Sequence, residues 1–347
     1  MKKKKNEPIT KEVLIERFLV LKSSEGRAID LLITRIDKFI AKQPDTDLTL
    51  IVCLLKALRA DNGRQPYENC CAIAAPIFEI LDNTTNWGYL ELFVLSAAVV
   101  YNEDFNKAAE LFQEALDVLD LDEHVSNPKC KPIRTNLHAN FTNRINRARY
   151  YEADMNVALL RKLFTESYDY AMEFYVRKNL PKQHLLEIRR GISEDNLPMA
   201  EAALVALEEK GENKLHSDAK DELMEFVVEM SGELNVKFHK YLHGYQIRKR
   251  RIELGMSAGD LADALGWDEP LLTAIERGSD SASIRRLRKI ALELKVSLDY
   301  FYGDDDMKFE GEFDPFMYSV KAKTTGATDK QKDKILKVIS LCMSMND

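Results

Sequence analysis

The chain has 347 residues, too many for one small core, and the usual domain size of ~100 to 200 residues predicts two units. Its 45% hydrophobic and 31% charged residues exclude a disordered chain or a fibre. The net charge of −7 excludes wholesale coating of nucleic acid, and no apolar run approaches the ~18 residues of a membrane helix, so no membrane partner is expected.

The chain opens MKKKKNEP, basic but with no apolar stretch behind it, so residues 1–10 are predicted to be a disordered terminus rather than a signal peptide. From 11 to 235 nearly every segment places apolar residues at i, i+3, i+4 and i+7, with turn residues between and no period-2 strand. The region is predicted to be all helix. The five cysteines, Cys53, Cys70, Cys71, Cys130 and Cys342, are odd in number, lie mostly in apolar helical pattern and lack any zinc-ligand spacing. A reducing, cytoplasmic setting is expected, with no metal and no cofactor.

The helices recur in pairs. In LELFVLSAAVVYNEDFNKAAELFQEALDVLD, residues 90–120, small Ser96 and Ala97 precede the turn Asn102-Glu103-Asp104. The second helix then carries Phe105, Ala108, Phe112 and Ala115. Ala108 and Ala115 let two helices approach, and Phe105 and Phe112 are expected to fill the groove between them. This stretch resembles a tetratricopeptide repeat, with Leu92 at the pattern's tryptophan and Glu103 at its turn glycine. Residues 187–211 repeat the theme, and 147–164 echo it. An α-solenoid of roughly five helix pairs follows from the resemblance, with a concave surface suited to an extended peptide or a partner helix.

NLHANFTNRINRARYY sets Asn136, Asn140, Asn143 and Arg147 within about 60° of one another on a helix, opposite Leu137, Phe141, Ile145 and Ala148. Asparagine costs roughly half a kcal/mol per residue in a helix relative to alanine, so the stripe invites an explanation. Amides that donate and accept suit a peptide backbone, and Arg147 suits a carboxylate; the alternative is a solvated outer face. HSDAKDELMEFVVEMSGELNVKFHKYL, residues 216–242, is predicted to be one long amphipathic helix joining the two parts.

The second unit is predicted to span residues 240–303. Ser257 is placed to cap one helix, Ala262 is small where that helix crosses the next, Gly266 permits a tight turn, and Asp268 caps the helix that follows, with Pro270 in its first turn. Arg248, Arg251, Gly255, Leu261, Leu265, Ile275, Glu276, Arg277, Gly278, Leu294, Val296, Ser297 and Leu298 complete a pattern that resembles the Cro/C1-type, or XRE, helix-turn-helix family across five helices. That resemblance implies double-stranded DNA as a partner and a homodimer reading two half-sites.

Two departures fall on the face the family turns to DNA. Ala258 stands where a phosphate-touching glutamine is common, and the third helix offers Glu269, Pro270, Leu271, Thr273 and Ala274 on its expected solvent side. These residues suit thymine methyls and cytosine N4 rather than bidentate contacts to purines. Ser257 and Arg277 flank them. Ser283, Arg285 and Arg286 open the fourth helix, where the helix dipole disfavours cations unless an anion is near, so they are candidate phosphate contacts. The alternative pairs the arginines with Asp304 to Asp306.

Residues 304–327 read as an acidic linker, and 328–345 as a closing amphipathic helix with Thr328 as cap and Ile335, Leu336, Ile339 and Cys342 on one face. Helical repeats joined to this kind of DNA module are similar in their parts to bacterial peptide-pheromone receptors, in which asparagines hold the peptide and the DNA module usually comes first. Six histidines without HExxH spacing, and no phosphate loop or nucleophile elbow, argue against an enzyme. The expected function is a regulator whose repeats sense a peptide or protein ligand. The rival is a helical adaptor whose second unit no longer reads DNA.

Overall fold

The computed structural model describes residues 10–21, 26–153, 155–230, 234–235 and 238–303. The expected linker 304–327 and closing helix 328–345 lie outside the described residues, as does the terminus 1–10 except Thr10. The chain divides into two compact units at Leu234 and Asn235. Among the described residues the regular structure is helical, and no helix is long and apolar enough to cross a membrane.

The first unit contains α1 (Lys11–Leu19), α2 (Gly26–Ile40), α3 (Thr46–Asn62), α4 (Tyr67–Asp82), α5 (Tyr89–Ala98), α6 (Phe105–Leu119), α7 (Asp122–Val125), α8 (Cys130–Tyr151), α9 (Val157–Arg177), α10 (Lys182–Ser193), α11 (Leu197–Glu209) and α12 (Asn213–Phe226). Side-chain caps start many of them: Thr10 for α1, Asp45 for α3, Asp104 for α6, Asn156 for α9 and Asn196 for α11 each accept a bond from the first turn's backbone N–H groups. Chain neighbours pack together, α2 on α3, α3 on α4, α8 on α9 and α10 on α11. In the last of these pairs a Cβ added to Gly191 would stand 2.8 Å from that of Ala200, so glycine is what lets α10 and α11 touch.

The two helices read at 90–120 form as α5 and α6, with a 3₁₀ turn at Val99–Tyr101 between them. Phe105, Ala108, Phe112 and Ala115 are buried as their spacing predicts. Their neighbour differs from expectation. Phe105 and Phe112 stack on Phe141 of α8, with centroids 5.9 and 4.0 Å away, and α5 and α6 both pack on α8. Helix α8 is therefore a hub, touched by α5, α6, α9 and α10.

One long joining helix is not what forms at 216–242. Helix α12 stops at Phe226, and the next helix, α13 (His239–Glu253), begins the second unit. The β-branched pair Val227-Val228 is a weak helix former and stands where the helix ends.

The second unit continues with α14 (Ala258–Leu265), α15 (Glu269–Glu276), α16 (Ile284–Leu294) and a 3₁₀ turn at Asp299–Tyr302. Its core joins Ile247, Leu261, Ala262, Leu272, Ile275, Leu287, Ile290, Leu294, Val296, Tyr300 and Phe301. Helix α13 crosses the end of α15 at Gly244, where a Cβ would come within 2.5 Å of the Ile275 carbonyl. No side chain fits there.

Candidate nucleic-acid interface

Helices α14 and α15 are joined by Gly266, Trp267 and Asp268. Ser257 caps α14 in a reciprocal box: its Oγ accepts from the Asp260 N–H at 3.0 Å, and its own N–H donates to the Asp260 carboxylate at 2.7 Å. The Ser257 hydroxyl, and then its backbone N–H, hold the Asp260 carboxyl below its usual range by hydrogen bonding to it. Gly266 ends α14 at φ +66°, a left-handed conformation that turns the chain into α15. Asp268 occupies the N-cap position of α15 in extended backbone, but its side chain makes no capping bond, so the second expected cap is positional only.

The core fixes which side of α15 faces out. Leu272 and Ile275 are buried, and Glu269 and Pro270 are exposed at the front. Glu269, Pro270, Thr273, Ala274, Arg277 and Ser279 line one open groove. Leu271 does not join them. It packs half-buried against the core, so its expected place on the solvent side is corrected.

Behind this groove lies a buried ion pair. Arg251 of α13 donates to both Glu276 carboxylate oxygens, at 2.6 and 2.8 Å, and to the Met256 carbonyl at 2.8 Å. One guanidinium thereby holds the end of α15 to α13 and to the segment entering α14. Two residues carried by the family pattern thus act inside the domain rather than on its surface.

Ser283 caps α16 by accepting from the Arg286 N–H at 3.4 Å. Arg285 is exposed, and Lys289 is exposed one turn further along the same helix. Lys289, four residues after Arg285, shares its face of α16. Arg286 is half-buried, with Nη1 3.7 Å from the Asp280 carboxylate and its guanidinium 5.9 Å from the Trp267 ring centre. It therefore stands beside the turn between α14 and α15. Asp304 to Asp306, the partners considered for these arginines, lie outside the described residues.

Residues 247–301 match the helix-turn-helix family. Members of that family are DNA-binding regulatory domains, and the matched segment runs from α13 through the 3₁₀ turn after α16. No curated protein and no solved structure matches the chain significantly.

The asparagine stripe of α8 lies in the first unit and points inward. Asn140 Nδ2 donates to the Ser96 carbonyl at 2.8 Å, and Asn136 Oδ1 accepts from the Tyr175 hydroxyl at 3.4 Å. Asn143 is buried, and its Oδ1 accepts from Arg147 Nε at 3.0 Å. Arg147 holds Glu225 of α12 at 2.5 and 2.8 Å and lies over the Tyr67 ring at 3.8 Å. The solvated outer face weighed for this stripe is overturned. The carboxylate expected from a bound peptide is here the chain's own Glu225, and the backbone carbonyl met by Asn140 is its own Ser96.

Proposed function

We propose that the protein is a cytoplasmic transcriptional regulator in which the α15 groove reads the DNA major groove and the start of α16 clamps the adjacent phosphates. The observation that carries this reading is the pairing of an open groove with cations at a capped helix start. Thr273 offers a hydroxyl to a base edge, Glu269 accepts from cytosine N4, and Pro270 and Ala274 suit a thymine methyl. Arg277 brings to the end of the groove the guanidinium that the first turn of α15 lacks. Ser257, Ser283, Arg285 and Arg286 hold the backbone, as phosphate contacts position a module whose base contacts specify the site.

The acidic front of α15 weakens the electrostatic attraction that usually dominates such binding. A homodimer offsets this by doubling the phosphate contacts across half-sites about one DNA turn apart. The helical unit is the sensor in this account, responding to a peptide or protein ligand through its differential affinity for two arrangements.

Charge reversal of Arg285 and Arg286 tests the clamp. Anisotropy of a labelled duplex across a salt series should show binding lost in R285E/R286E. In the milder R285Q/R286Q, the slope of log affinity against log salt should flatten by about 2, since each phosphate contact contributes ~0.9. An unchanged slope would remove these residues from the interface. If the unit has become a protein adaptor instead, neither protein will retain duplex at low salt.

A further inference from the structure

Helix α12 carries Asp218, Asp221, Glu222 and Glu225 at i, i+3, i+4 and i+7, which places four carboxylates within about 100° of arc. Three arginines from well-separated parts of the chain converge on that face. Arg64, in the turn after α3, reaches Asp221 at 2.8 Å and Asp218 at 3.2 Å. Arg189 of α10 grips Glu222 through two bonds of 2.6 and 2.9 Å. Arg147 of α8 grips Glu225 in the same forked manner.

Two of these guanidiniums are also held by the rest of the unit. Arg147 rests on the Tyr67 ring and bonds Asn143, and Arg189 donates to the Ala139 carbonyl at 2.5 Å. Beside that acidic face one flank of α12 is apolar and buried through Ala219, Leu223 and Phe226, and Lys220 and Met224 are buried on the far side. The helix thus sets an acidic face on an arginine clasp that α8, α10 and Tyr67 help to hold.

We propose that this clasp is a docking site for an acidic, helix-forming peptide, and that α12 is its resident occupant, displaced when such a peptide binds. The inference rests on the sensor role proposed above and names the ligand's chemistry. Buried ion pairs roughly break even against solvation, whereas a buried cation stripped of its partner is strongly unfavourable. A ligand that brings its own carboxylates at helical spacing exchanges pair for pair. A neutral or basic peptide leaves Arg147 and Arg189 unpaired and is rejected. Helix α12 precedes α13, the first helix of the second unit, in the chain, twelve residues lying between them.

A synthetic peptide with the sequence of residues 212–227, ENKLHSDAKDELMEFV, serves as the probe. Its control replaces Asp218, Asp221, Glu222 and Glu225 by their amides. In the full chain, E222Q/E225Q loosens the resident helix while keeping its size. The acidic peptide should bind this variant at least tenfold more tightly than it binds the unsubstituted protein, and the amide peptide should bind neither. Adding R147Q/R189Q should abolish the gain. Hydrogen exchange in α10 and α11 checks that the variants remain folded. Should a variant fail that check, saturating peptide on the unsubstituted protein must still raise exchange across residues 213–226. Equal binding of the acidic and amide peptides, or unchanged protection of α12 under saturating acidic peptide, overturns the proposal. Peptide binding that leaves DNA affinity unchanged supports the docking site and contradicts the sensor role instead.

Discussion

Arg251 and Glu276 show how one pair of residues decides the integrity of a whole small domain. Both are almost fully buried, and each satisfies the other through two bonds. Removing one partner of such a pair costs ~3 to 5 kcal/mol because the remaining charge is stranded. Glu276→Ala should therefore unfold the second unit at much lower urea than the first. Trp87 and Trp267 are the two tryptophans, so Trp267 emission in a W87F background reports that transition alone. His243 sets a pH limit on the same unit. Burial, and then the neighbouring His239, hold its pKa from 6.5 down to about 4, so the folded state keeps it neutral where the unfolded chain takes up a proton. Its contribution is fully present above pH 6.5 and is lost as the pH falls toward 4. Melting curves between these limits should fall with acid, and His243→Gln should flatten the fall.

At the scale of elements, the caps and breaks of the second unit were legible because their causes are local. Ser257, Gly266 and Ser283 act within four residues of themselves, and the apolar spacing of α14 to α16 selects one buried face. Helix α8 was misread for the opposite reason. Its polar residues are satisfied by partners 44 residues away, as for Asn140 and Ser96, or 78 away, as for Arg147 and Glu225. No window of sequence contains both halves of such a bond, so a buried polar stripe looks like an exposed one. Leu271 failed similarly, since the side of α15 it takes depends on where the core lies. The reassigned stripe makes a prediction at this scale. Asn140→Ala should destabilise the helical unit by roughly 1 to 3 kcal/mol, the cost of leaving the Ser96 carbonyl without its donor. Urea unfolding followed by helix signal checks this, and a stability change below a few tenths would place Asn140 outside the packing.

For the whole molecule, the sequence allowed two units and the structure divides the chain at Leu234 and Asn235. The joining helix expected there is replaced by two helices, α12 ending at Phe226 and α13 beginning at His239. A net charge of −7 over the chain does not oppose this role, because residues 240–303 carry eleven Lys and Arg against nine Asp and Glu. Reading of base sequence by the α15 groove is what separates a regulator from an adaptor. The most direct measurement is selection from a randomised duplex pool by the purified full-length protein at two salt concentrations, with the retained duplexes sequenced. The expected result is enrichment of a two-fold symmetric motif that changes when Thr273 is replaced by alanine and weakens uniformly in R285Q/R286Q. Retention without a motif at either salt concentration, with and without the acidic peptide, would contradict it and leave the second unit as a protein-binding fold.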